Sequence, residues 1–209
     1  MGLLDAAGCR SVAVDLPSAS SATATLQDDA ARVRETLDTL DGDAVLVGHS
    51  YGGAVVPEAG AHPNVAHLVY LTAFALEVGE SVVENSLTGG EVAGDLEAAM
   101  QVGDGVLTLD PAIAAAAFFD DCAPDVVAGA IKRLRPQSLT ALSGTVTVAA
   151  WREKPATYVV CTEDRALPVA LQRSNAARIG NSVDWATSHS PFLSRPDLVA
   201  GLLIELSSR

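Results

Sequence analysis

Apolar positions along this chain follow two rhythms, and the rhythms alternate. Compact apolar runs bounded by Gly, Pro, Ser or Asp occur at Ser11–Leu16, Ala44–Val47, Val65–Thr72, Ala156–Thr162 and Ser182–Ala186, and such runs read as strands. Between them the apolar residues recur at helical spacing. Leu26, Ala30, Val33, Leu37 and Leu40 share one face of a helix that starts near Thr25 and closes at Gly42, with Asp28, Arg32 and Glu35 outside. Leu3–Gly8 reads as the last turns of a helix stopped by glycine. A helix to about Ala61 follows Ser50, and another spans Pro168 to Ile179 before Gly180. The last helix carries Leu198, Val199, Leu202, Leu203 and Leu206 as its buried stripe, behind a capping box at Ser194-Arg195-Pro196-Asp197. Strands alternating with helices specify an α/β fold, a mostly parallel sheet with helices on both faces.

The alternation stops between Phe74 and about Ala150. Asp110-Pro111 sets an N-cap and a first-turn proline for a helix over Ala112–Phe119, and Pro124 opens another to Leu134. Gly89-Gly90 and Gly103–Gly105 read as flexible breaks. The expectation is a single domain over residues 1–209 with a helical cap inserted at about 76–150.

Composition narrows the function classes. The 209 residues suffice for one core, 49% of them are apolar, and 26 acidic against 13 basic residues give a net charge of −13. That field repels nucleic acid and anionic membrane, so neither is expected as a partner. Cys9, Cys122 and Cys161 are far apart and match no metal spacing; Cys161, inside an apolar run, reads as a small core residue. Met1-Gly2-Leu3-Leu4-Asp5 has no basic n-region, and no run approaches the roughly 18–20 apolar residues of a membrane span. A cytoplasmic protein is the expectation, and no oligomeric state is specified.

The chemistry centres on Val45-Leu46-Val47-Gly48-His49-Ser50-Tyr51-Gly52-Gly53. A strand ends in Gly-x-Ser-x-Gly and small residues follow, which is the pattern of a nucleophile elbow. The motif alone also fits an ordinary glycine-rich turn; the flanking strand and helix raise its weight. Gly48 and Gly52 are expected where a Cβ would collide with the neighbouring strand or helix. The helix after Ser50 would aim its N-terminus at an oxyanion, with the Tyr51 N–H as one donor.

A serine nucleophile needs a base. Of four histidines, His49 adjoins Ser50 and reads as structural, His62 as exposed at a helix end, and His67 as packed or hydrogen-bonded in its strand. His189, in Thr187-Ser188-His189-Ser190-Pro191-Phe192, follows the last strand and so falls at the sheet edge that holds Ser50. A lone loop histidine is more often a solvated side chain, but here order and topology favour the base. Asp164, after the strand ending at Thr162, is the candidate carboxylate, with Glu163 as its competitor and a helix cap as the bland alternative. The order Ser…Asp…His is that of α/β-hydrolases.

With these residues in place, the chain resembles an α/β-hydrolase of the small esterase branch that includes plant methylesterases and hydroxynitrile lyases. The resemblance is carried by Val12–Pro17, Gly48–Gly53, Leu68–Phe74, Asp164–Pro168 and Ser188–Phe192, which span nearly the whole chain. It implies cleavage of a small-molecule carboxylic ester through an acyl-enzyme on Ser50, His189 and Asp164, with no cofactor and no metal. It also implies an apolar pocket beneath the cap, for which Phe74, Phe118, Phe119 and Phe192 are candidates, although such residues are more often simply core. Lyases of the branch carry lysine after the catalytic histidine; Ser190 stands there and argues against cyanohydrin chemistry.

The resemblance further implies a strand upstream of Leu3, placed between Ser11–Leu16 and Ala44–Val47, whose following loop gives a second oxyanion donor, usually marked by His-Gly. No His-Gly occurs here. Three outcomes are open: a sequence that starts late and is impaired, which is the favoured expectation; direct pairing of the two strands; or a second chain in the gap. The functional alternatives are a hydrolase-like ligand-binding protein with an incomplete oxyanion hole, and a lactonase or perhydrolase on the same triad.

Overall fold

A computed structural model of the chain describes residues 1–88 and 94–208. After a short helix α1 (Gly2–Ala6), helix α2 (Leu26–Asp38) starts at Thr25, which forms a capping box: Asp28 N–H donates to Thr25 Oγ1 at 3.1 Å and Thr25 N–H to Asp28 Oδ2 at 2.9 Å. Leu26, Ala30, Val33 and Leu37 are its buried face, as their spacing predicts. Strand β1 (Ala44–Ser50) leads directly into helix α3 (Gly52–Ala59), and strand β2 (Val65–Ala73) follows.

The insertion holds α4 (Val82–Thr88), α5 (Gly94–Ala99), β3 (Met100–Gly103), β4 (Val106–Leu109), α6 (Pro111–Phe118), α7 (Pro124–Ile131), β5 (Gln137–Ser138) and α8 (Leu139–Ser143). The main fold resumes with β6 (Ala156–Cys161), α9 (Val169–Ile179), β7 (Ser182–Trp185), α10 (Pro191–Ser194) and α11 (Pro196–Ser207).

The main sheet runs β1-β2-β6-β7 and every pairing is parallel, so Ser50, Ala73, Cys161 and Trp185 all end at one edge. Both faces are covered, and the side-chain alternation of the strands shows it. Leu68 and Tyr70 of β2 join Tyr158 and Val160 of β6 in one core under α2, α3 and α9. Val69, Leu71, Val159 and Cys161 point the other way and pack with Leu206 of α11. No described helix is long and apolar enough to cross a membrane.

Several expectations need correction. Ser11–Leu16 is not a strand: among the described residues none of its backbone N–H groups bonds to another backbone group, and β1 is an edge of the sheet. A β-type sequence makes a chain able to pair, but a ladder also needs a neighbour about 4.8 Å away. Instead an apolar groove of ≈ 740 Å³ separates the two, with residues 10–14 and Leu16 on one side and Val45, Val47 and His49 on the other. Direct pairing of these two segments is thereby excluded. The insertion is not purely helical either: β3, β4 and β5 form an antiparallel sheet. Gly103–Gly105 belongs to its hairpin, where Asp104 (φ 52°) and Gly105 (φ 76°) supply the two positive-φ residues of a tight turn; Gly89-Gly90 lies outside the described residues. Ser194 ends α10 and makes no capping box; Arg195 is the N-cap of α11, without a side-chain cap bond. Finally, within the α11 stripe only Leu206 is buried; Val199, Leu202 and Leu203 pack half-buried against the same cluster.

Candidate active site

Ser50 ends β1 with φ 51°, a left-handed conformation that costs a non-glycine residue of order 1 kcal/mol or more. Packing holds it there. Phe74 N–H donates to Ser50 O at 3.2 Å. A Cβ on Gly48 would stand 2.5 Å from Val56 Cγ2 and 2.6 Å from Gly52 O. A Cβ on Gly53 would stand 2.4 Å from Phe74 O, whereas one on Gly52 would meet nothing within 4 Å. The tight contacts of the turn therefore lie at Gly48 and Gly53, not at Gly48 and Gly52: it is the second glycine after Tyr51 that faces the chain leaving β2.

Tyr51, the residue between strand and helix, turns its side chain away from Ser50. Its hydroxyl donates to Asp29 Oδ2 at 2.6 Å, and the fully buried Asp29 also accepts Ser18 N–H at 2.9 Å. Burial, reinforced by the Asp29 hydrogen bond, raises the phenol's pKa, so it stays a donor.

Asp164 and His189 come from the turns after β6 and β7, and both are buried. His189 Nδ1 lies 2.7 Å from Asp164 Oδ2. Four other donors meet this carboxylate: Thr72 Oγ1 at 2.5 Å, Gln172 Nε2 at 3.1 Å, Ala166 N at 2.7 Å and Leu167 N at 2.8 Å. Burial raises the Asp164 pKa, but the His189 charge and these hydrogen bonds outweigh it and hold it below the usual carboxylate range. Glu163, the competitor, contributes a backbone N–H to Thr187 O at 3.1 Å, and no hydrogen bond links its carboxylate to the imidazole.

With Nδ1–H given to the carboxylate, Nε2 is the imidazole's free acceptor. It is buried and has no hydrogen-bond partner among the described residues, Ser50 Oγ included. The structure thus brings Asp164 and His189 together and places Ser50 on the same sheet edge, with the link from serine to imidazole open.

His49 has more to do than its adjacency to Ser50 suggests. Its Nε2–H donates to His189 O at 2.7 Å, the two rings lie 4.6 Å apart, and Phe192 meets the His49 ring edge-on at 4.9 Å. Burial, together with the His189 charge, lowers its pKa to about 3, so it is neutral and pins the backbone of the second histidine. Phe118 meets the His189 ring edge-on at 4.9 Å and packs on Phe119; Phe74 is core and serves the elbow through its main chain. His67 bonds Thr157 Oγ1 at 2.9 Å, as expected of a strand histidine. His62 is not exposed: its side chain retains 10% accessibility and bonds Asp38 at 3.0 Å. The signals for His49, Thr72 and Gln172 are absent from the sequence, since none lies in a motif that specifies its partner. The large groove beside β1 reaches this centre at its margin only, through His49, Gly52 and Phe192. Among the described residues, no group of three His, Cys, Asp or Glu is placed to hold a metal ion.

Comparison with known proteins places this geometry in context. A model of the alpha/beta hydrolase family matches residues 1–202. The alpha/beta hydrolase nvfD of Aspergillus novofumigatus (strain IBT 16806) is 33% identical over 213 residues, covering 92% of this chain and 83% of that protein. Among solved structures, a pyrethroid hydrolase from Sphingobium faniae JZ-2 superposes with a TM-score of 0.84 at 25% identity, over 99% of this chain and 89% of that one. The methylesterase MES16 from Arabidopsis, at 20% identity and a TM-score of 0.76 over 99% of this chain and 90% of that one, shares the fold.

Two measurements check the geometry. Gly53→Ala should destabilise the protein in urea by about 1–3 kcal/mol through overpacking, while Gly52→Ala should stay within about 0.5 kcal/mol; equal losses would contradict the assignment of the tight contact. Asp164 titrates below its ordinary value in the folded protein. The stability its charge contributes is therefore fully present above the unfolded value of about 3.9 and is lost as pH falls through the folded one. The stability gap between the parent and Asp164→Asn should be widest near neutrality and narrow below about pH 4; a gap independent of pH would contradict this.

Proposed function

This chain belongs to the alpha/beta hydrolase family, and from that premise we propose that it hydrolyses small carboxylic esters with Ser50 as nucleophile, His189 as base and Asp164 as the carboxylate that orients it. The observation that carries the reading is the buried Asp164–His189 contact of 2.7 Å, which leaves Nε2 of the imidazole as an unpartnered acceptor. Ser50 Oγ attacks the ester carbonyl carbon while Nε2 takes its proton. The tetrahedral intermediate then collapses, the C–O bond to the alcohol breaks, and the imidazolium protonates the departing oxygen. Water attacks the acyl-serine, gives its proton to Nε2, and the acid leaves as Ser50 recovers its hydrogen.

The open serine–imidazole link is compatible with this role, because such bonds are often long without substrate and tighten when it binds. Tyr51 N–H is the oxyanion donor in this scheme, while the Tyr51 hydroxyl is anchored to Asp29. Removing one such donor costs about 10²–10³ in rate. The insertion between β2 and β6 acts as the cap of one domain, and Phe118, Phe119 and Phe192 form an apolar flank near the imidazoles suited to an uncharged substrate. The similarity to a structure named a pyrethroid hydrolase is in keeping with hydrolysis.

A second reading, a ligand-binding protein with little turnover, draws on the same open link. Release of p-nitrophenol from p-nitrophenyl acetate separates the two. The ester hydrolase reading expects Ser50→Ala to lower release by about 10³-fold or more. Release unaffected by the substitution would overturn it, and the absence of Ser50-dependent release with ligand-induced thermal stabilisation would establish the second reading.

A further inference from the structure

Residues Phe118–Asp121, where α6 ends, touch both of the turns that carry the Asp164–His189 pair. Asp121 Oδ2 accepts Ser188 N–H at 2.9 Å and Oδ1 accepts the Ser188 hydroxyl at 2.5 Å. Asp120 faces Arg165, the residue after Asp164, at 3.6 Å. Phe118 meets the imidazole edge-on. The two carboxylates are unequal. The Asp120–Arg165 pair is long and about half exposed on each side, the kind of contact that water and salt weaken. Asp121 is exposed too, but its partner Ser188 is 1% exposed, so that amide and hydroxyl have little access to water.

The peptides around His189 are therefore held at both ends. Ser188 N–H is bound to Asp121, and His189 C=O receives the His49 ring N–H at 2.7 Å. On its other side the loop is tied to the Asp164 turn, where Thr162 N–H donates to Trp185 O at 2.9 Å and Glu163 N–H to Thr187 O at 3.1 Å. Of these restraints, only the one from Asp121 comes from the insertion.

We propose that Asp121 is a positioning residue: through Ser188 it fixes the backbone that aims His189, so that correct seating of the cap is a condition for an oriented base and not only a cover for the substrate. This rests on the ester-hydrolase reading for its kinetic consequence, but not for its structural one. Asp121 acts through Ser188, so its loss should be felt where imidazole orientation matters, in the transition state, and not in binding.

The test uses the full chain carrying Asp121→Ala, Asp121→Asn, Ser188→Ala, the Asp121→Ala/Ser188→Ala double variant, and Asp125→Asn as an exposed carboxylate on the same cap. Expected for Asp121→Ala is a fall of about tenfold in kcat for p-nitrophenyl acetate with KM within about twofold, and for Ser188→Ala, which keeps the amide bond to Asp121, a smaller fall in kcat. The double variant should lose no more than Asp121→Ala, Asp121→Asn, which keeps one acceptor oxygen, should fall between Asp121→Ala and the parent, and Asp125→Asn should match the parent. In parallel, amide hydrogen exchange over residues 186–190 should quicken in Asp121→Ala at unchanged exchange of β2 and β6. Unchanged kcat in an active parent, or losses that multiply in the double variant, would overturn the proposal. If the parent shows no Ser50-dependent release, the ester reading fails by itself, and exchange over 186–190 decides this one: quickening sustains it and no change overturns it.

Discussion

A carboxylate taken out of water must be met by donors, and Asp164 is met by five. They come from Thr72 at the end of β2, from the backbone of residues 166 and 167, from Gln172 on α9 and from His189 beyond β7. Unpaired, such an anion would cost several kcal/mol. Paired this way, it fixes the ends of β2, β6 and β7 and the start of α9 relative to one another. The parallel sheet brings these ends to one edge, and the buried charge sets their relative positions. Thr72 itself adopts φ 38°, so the same region that satisfies the carboxylate also stores backbone strain.

The imidazole inherits its setting from this arrangement. Asp164 takes one ring nitrogen, the neutral His49 takes the backbone carbonyl, and Phe118 closes on the ring. On the serine side the constraint is steric: Gly48 and Gly53 admit atoms that any larger residue would displace, and Ser50 adopts its left-handed angles between them. Polar satisfaction on one side and close packing on the other build the two halves of the candidate site. The edge strand β1, with the groove beside it, belongs to the serine half.

Much of this was legible in the sequence because it is local. The helix over Leu26–Asp38, the strand leading to Ser50 and the Asp110 cap of α6 are specified by spacing and by one or two residues each. The candidate base and acid could be placed because parallel strands end at a common edge, which makes loop position a proxy for proximity. What escaped depends on partners distant in the chain. Val12 and Val14 look like strand residues whether or not a neighbouring strand lies within ladder distance. Gly52 and Gly53 are indistinguishable until the path of Phe74 is known. Asp121 and Ser188 are 67 positions apart, and nothing in either local pattern announces the other. The hairpin at Asp104-Gly105 is different: its two-residue turn signal is present in the sequence, but the flanking runs are too short to mark strands.

The central claim is that Ser50 and His189 act as one unit, and the most direct measurement is covalent labelling. An organophosphonate offered to the folded protein should form one adduct per chain. Peptide mass spectrometry should place that adduct on Ser50, and His189→Ala should abolish it while leaving the fold intact. An adduct on another residue, or labelling of Ser50 at the parent rate in His189→Ala, would contradict the account.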